Sequence, residues 1–267
     1  MIHRTHKKAK IPLSFLTLCL ASIFTGCSGN NEPGQTTFSQ TESQSETGSS
    51  MQNETRIATE SAQDSSIDFK LLQEENPDIF AWLYIPDTGI DCPVLQSGQG
   101  DDFYNSHNAA GEDDPLGAVY IELANLKSMC DFNTVLHGNA GTDQNAPFAE
   151  LYRFSDPLFF DSHETIYLYL DGNVLTYEVF AAYERENTSL IRSYDFTYAS
   201  GCQEFLDDLY GTRDMAMNLR EGWDFVNPYH FLITLTGQKE DNPDRQFVVV
   251  ALLTQDAAGT IERTVTE

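Results

Sequence analysis

Asn133-Thr-Val-Leu-His-Gly-Asn139 and Ile233-Thr-Leu-Thr-Gly-Gln238, the second followed by Asp244-Arg-Gln-Phe-Val-Val-Val250, are the stretches on which the fold turns. Each opens as an apolar, β-branched run of the kind that fills a buried strand, and each ends in small or polar residues. Their polar ends are where side chains with chemistry would be displayed.

Working outward, further strand-like runs fall at Ala81 to Ile85, Ile90 to Gln96, Gly117 to Leu123, Thr165 to Leu170 and Val174 to Tyr183. With Asn133 to His137, Phe231 to Thr236 and Arg245 to Thr254 they make eight, separated by turn residues. Asp171-Gly-Asn173 between two of them reads as a hairpin turn. Ile67-Asp-Phe-Lys-Leu-Leu-Gln-Glu-Glu75 has apolar residues at helical spacing and stops at Asn76-Pro77. Ala146 to Phe154 and Ser200 to Arg213 also read as helices, the latter with Phe205, Leu206 and Leu209 on one face. Eight short strands with few helices predict a mainly β, α+β domain built on a closed or nearly closed barrel. Trp82 and Phe148 are expected in its core, and His107 and His163 in surface loops.

In wording and order these segments resemble class B sortases, the cysteine transpeptidases that join surface proteins to the Gram-positive cell wall. The pattern there is Asn-Thr-x-x-Tyr-Gly-His, then Thr-Leu-x-Thr-Cys, then an Arg opening the next strand. Asn76-Pro-Asp-Ile-Phe-Ala-Trp-Leu-Tyr-Ile-Pro-Asp-Thr-Gly-Ile-Asp-Cys-Pro-Val-Leu-Gln96 resembles the family's opening, Gly117-Ala-Val-Tyr-Ile121 its Gly-Ser-Ile-Phe strand, and Pro147-Phe-Ala-Glu-Leu151 its Met-Phe-x-x-Leu helix. The resemblance runs in order from about residue 68 to 255 and implies an eight-stranded sortase-type barrel, with a leading helix and a helix before the last two strands.

It also implies a site, and there the pattern departs. The Arg is present as Arg245, but the His position holds Asn139 and the Cys position holds Gln238. Sliding the register by one puts Gly237 at the Cys position, which restores no thiol. A sortase needs a thiolate to form an acyl-enzyme and a His to protonate the leaving amine. An amide is not a nucleophile at neutral pH, and an Asn side chain does not titrate near it. The chain is therefore expected to be inactive as a transpeptidase and to bind a sorting-signal-like peptide, a wall component or a partner protein, through Arg245, His137 and Asn139. Arg245 is alternatively an ion-pair partner of Glu240, Asp241 or Asp244. The rival reading is an active transpeptidase or cysteine peptidase with relocated residues such as Cys130 and His137. Cys92 reads as a small buried hydrophobe and Cys202 as structural. Thr236 is a hydroxyl nucleophile only if a base stands beside it.

Residues 1–27 read as an export signal. Arg4, Lys7, Lys8 and Lys10 precede the apolar stretch from Ile11 to Phe24, which is too short for a membrane span. Thr25-Gly26-Cys27 resembles a bacterial lipobox, with Cys27 as the lipid anchor; the alternative is an uncleaved signal anchor. Residues 28–66 are Ser, Thr, Gln, Asn, Gly and Glu with almost no large apolar side chain, the composition of a disordered tether. By flexible-coil scaling it would hold the domain of residues 67–267 roughly 35 Å from the membrane. Of five cysteines, Cys92, Cys130 and Cys202 remain in that domain, an odd number without Cys-x-x-Cys spacing. No cofactor or metal site is expected. The chain carries 41 acidic against 15 basic residues, a net charge of −26. That balance excludes nucleic acid, which requires clustered Lys and Arg, and argues against docking on anionic lipid. The expected place is outside the cytoplasm, on the membrane, facing the wall.

Overall fold

The computed structural model describes residues 67–212, 217–238 and 242–262. The export signal, Cys27 and the tether lie outside them.

Nine strands form one sheet: β1 Ile79–Tyr84, β2 Asp91–Leu95, β3 Val119–Ile121, β4 Asn133–Asn139, β5 Thr165–Leu170, β6 Asn173–Glu186, β7 Asn218–Leu219, β8 Leu232–Gln238 and β9 Arg245–Asp256. Eight of them run in the order β5-β1-β2-β3-β4-β8-β9-β6, and β5 pairs again with β6, closing the barrel. β7, two residues long, is appended to β6. β2–β3 and β4–β8 are parallel pairs and the rest are antiparallel. All eight expected strands are present, and the hairpin falls at Asp171-Gly172, where Leu170 pairs with Asn173.

Alternation on the central strands explains the two cores. On β9, Phe247, Val249 and Ala251 join Leu83, Leu136, Phe148, Leu168 and Leu235 inside the barrel. Val248, Val250 and Leu252 point the other way and pack with Phe132, Val135, Phe180 and Phe205. Side chains on a strand alternate faces, so a strand covered on both sides must be apolar throughout. The outer cover is α4 (Ala199–Gly211), which buries Cys202, Phe205, Leu206 and Leu209. It stands before the last two barrel strands, as the resemblance implied.

The leading helix is α1 (Phe69–Glu75), capped by Asp68, whose carboxylate accepts from Leu71 N at 3.1 Å. Two short helices were not expected, α2 (Pro157–Ser162) and α3 (Leu190–Ser193), capped by Asp156 and Ser189. The expected helix over Ala146 to Phe154 is not formed. Turns lead instead into a single 3-10 stretch, Leu151–Ser155. The Phe148 N–H donates back to Asn139 O at 2.9 Å, and the Ala149 and Leu151 N–H groups bond three residues back, to Ala146 O and Phe148 O at 3.0 Å, the spacing of turns rather than of an α-helix. Trp82 is also not a core residue. Its neighbours Ala81 and Leu83 point inward, so Trp82 faces outward, half-buried, and donates to Asp91.

Candidate functional site

β4 and β8 run parallel in a register that sets His137 beside Thr236, Gly138 beside Gly237 and Asn139 beside Gln238. The two amides thus stand side by side at the ends of the central strands. They line a cleft of about 600 Å³ together with Pro115, Leu116, Thr142 and Asp143. Gly141, Ala146 and Pro243 also line it, and Asp143 is the charged member among the described lining residues. Asn139 Nδ2 donates to Leu116 O at 2.8 Å and to Pro115 O at 3.2 Å.

The inward face at this level leaves no space. A Cβ on Gly237 would sit 2.5 Å from Ala140 Cβ, and one on Gly138 would sit 2.7 Å from the Phe148 ring. A side chain placed at 237 would therefore be forced into the packed interior, whereas Gln238 is exposed to the cleft. The cleft-facing pair is Asn139 and Gln238, and neither carries a thiol or a titrating group.

Arg245 stands apart from them. Gln246 is the residue opposite Gln238, and opposed residues on antiparallel strands share a face, so Arg245 emerges on the other side of β9. There its Nε lies 4.0 Å from Glu184 Oε2, while Tyr152 donates to Glu184 Oε1 at 2.7 Å. Glu240 and Asp241, two of the three ion-pair partners expected for it, lie outside the described residues. The contact with Glu184 comes from the pairing of β6 with β9, which joins residues far apart in the sequence.

His137 lies one pleat below Asn139 on the same face, and a base does stand beside Thr236 after all. Thr236 Oγ1 is 3.0 Å from His137 Nδ1, and the ring stacks on Tyr120 at 5.1 Å. His137 Nε2 is 3.3 Å from Glu122 Oε1, an ion-pair contact too poorly aligned for a hydrogen bond. The contact with His137 holds the Glu122 carboxyl below its ordinary range, against an opposing push from burial. This relay is assembled from β3, β4 and β8 and was not legible locally, because His137 and Thr236 meet only through strand register. The Thr236 hydroxyl is itself buried, 4% exposed, also within 3.4 Å of Leu136 O, and outside the lining of the cleft.

None of the three cysteines among the described residues joins the site. Burial, reinforced by Asp91, pushes the Cys92 thiol up to about 12, which keeps it protonated and unreactive. Cys202 is wholly buried under α4. Cys130 precedes β4 and lines a separate cavity of about 810 Å³ with Asp131, Tyr194 and Phe196. At about 3.3 Å per residue, the strand between Asn133 and His137 alone spans roughly 13 Å, so Cys130 and His137 sit towards opposite ends of β4. Cys92 and Cys130 are free, and among the described residues no cluster of His, Cys, Asp and Glu could hold a metal ion.

A closed eight-stranded barrel whose two parallel central strands end in a cleft defines the sortase class. No family model matches the chain. Sortase B of Listeria monocytogenes is 33% identical over 137 residues, which cover 51% of this chain and 54% of that protein. The chain spans about half the length of the curated relatives it matches. A mutant form of Clostridium perfringens sortase B superposes with a TM-score of 0.61 at 26% identity, over 70% of this chain and 86% of that one. A Staphylococcus aureus sortase B–substrate complex shares the fold, with a TM-score of 0.58 at 24% identity over 70% and 84% of the two chains. In sequence and in fold the chain is similar to class B sortases.

Proposed function

We propose that this chain is an extracytoplasmic, membrane-anchored sortase-like protein that binds rather than transpeptidates. Its ligand in this reading is a sorting-signal-like peptide, a cell-wall component or a partner protein that presents such a segment. The observation that carries the reading is the pair of amides, Asn139 and Gln238, side by side where thiol and imidazole would be needed. The Gln238 amide and the Asn139 Oδ1 supply groups suited to peptide N–H and C=O, the Asn139 N–H groups being held by Pro115 O and Leu116 O, and neither residue provides a nucleophile or an acid. Arg245, on the other face of β9, and His137, packed against Thr236 and Tyr120, take no part in holding it. Cys27 supplies the lipid anchor.

Titration of the full chain in detergent with a pool of sorting-signal peptides tests this. Selective retention is expected, weakened by Gln238→Ala and abolished by Leu116→Trp, which fills the cleft. Retention of no peptide, or retention indifferent to both substitutions, would remove the cleft from the account.

A further inference from the structure

Three backbone carbonyls converge on one side-chain nitrogen at the rim of the cleft. Asn139 Nδ2 lies 2.8 Å from Leu116 O, 3.2 Å from Pro115 O and 3.4 Å from Asn105 O. An amide NH₂ has two N–H groups, so it serves two of these acceptors at a time and is fully committed to them. All three carbonyls belong to the segment between β2 and β3, and Pro115 and Leu116 of that segment form a wall of the cleft.

The segment is braced within itself. Asp114 N donates to Ser106 O at 2.9 Å, Gly117 N to Asp114 O at 3.0 Å, and Ala118 N to Tyr104 O at 2.9 Å. Leu116 N donates to Asp114 Oδ1 at 2.9 Å. Gly117 has φ +68°, and a Cβ there would fall 2.5 Å from Tyr104 O, so the chain is closely packed against itself at this turn. The base of the segment is pinned elsewhere, Tyr104 Oη donating to Asp78 Oδ2 and Asn76 Nδ2 to Ala109 O, both at 2.8 Å, so it is the tip around Pro115 and Leu116 whose position and local opening depend on what ties it to β4. Asn139 is placed to be that tie, with its own carbonyl held by Phe148 N at 2.9 Å.

Resting on the reading of this cleft as the ligand site, we propose that Asn139 is a positioning residue: it latches the wall of residues 105–116 to the end of β4 and so sets the width of the cleft. The position where the resembled pattern has its proton-transfer residue is then occupied by a fastener. Donor count separates the two side chains, since an amide offers two N–H groups at every pH and a neutral imidazole offers one.

Hydrogen exchange on the full chain tests the latch without requiring a ligand. Asn139→Asp keeps the shape, removes both donors and turns a carboxylate towards three carbonyl oxygens. The amides of Asp114, Leu116 and Gly117 are expected to exchange about tenfold faster, while those of β8 keep their rates. Asn139→His should fall between the two. It should tighten as the pH drops through the ordinary imidazole range near 6.5, once each rate is divided by its intrinsic value. Unchanged wall amides in Asn139→Asp would overturn the latch. So would acceleration spread equally into β8, or an Asn139→His chain as loose as Asn139→Asp at every pH. If the native chain retains no peptide while the exchange pattern holds, the latch stands and the ligand reading falls.

Discussion

Glu122 and His137 illustrate how little room the interior beside the cleft leaves for charge. Glu122 is 9% exposed, and its carboxyl is kept below the ordinary range by the ring 3.3 Å away and by Ser189, whose hydroxyl lies at 3.5 Å. A group that titrates lower when folded than unfolded adds stability that is full above the unfolded value and is lost as pH falls through the folded one. Glu122→Gln is therefore expected to lower the melting temperature by about 2–4 °C at pH 7. The deficit should shrink as the pH is taken below the ordinary carboxylate value of 4.5, because the native chain is then losing the same contribution. Thermal unfolding across that range reads the effect. A deficit that grows on acidification would contradict the assignment.

At the scale of the elements, the ends of β4 and β8 are shaped by what their inward faces exclude. Gly237→Ala would place a methyl 2.5 Å from Ala140 Cβ and close to Leu151, so it should destabilise the domain by about 1–3 kcal/mol in a denaturant titration. An unchanged midpoint would mean that the interior has slack at this level. Much of this architecture was legible in the sequence. The β-branched runs located all eight barrel strands, and the apolar face of Phe205, Leu206 and Leu209 located α4. What escaped was decided by contacts between distant segments. Between Ala146 and Leu151 an expected helix gives way to turns, with Phe148 N tied back to Asn139 O, a contact that does not show in local periodicity. Asp156-Pro157 is a helix-start signal of the ordinary kind, but α2 is too short to display a period. The candidate site divided in the same way. Asn139 and Gln238 were found by their place in a pattern, whereas the faces of Arg245 and Thr236 depend on strand register, which sequence alone does not supply.

For the whole molecule, the strongly acidic composition and the N-terminal segment complete the proposal. A net charge of −26 repels anionic surfaces, so the proposed membrane attachment rests on lipid at Cys27 rather than on a basic patch. Cys27→Ala in the full chain is expected to move the protein from the detergent-rich to the aqueous phase on phase separation, with the loss of acyl mass at the N-terminus. A variant that stays with detergent at unchanged mass would point to the uncleaved signal anchor instead.

The central claim is that a sortase barrel persists here without sortase chemistry. Intact mass measured after incubating the full chain with sorting-signal peptides and an amine acceptor tests it most directly. The account predicts an unmodified protein mass and no transpeptidated product. A covalent acyl adduct, at Cys130, Thr236 or any other side chain, would contradict it and would name the nucleophile that replaces the missing thiol.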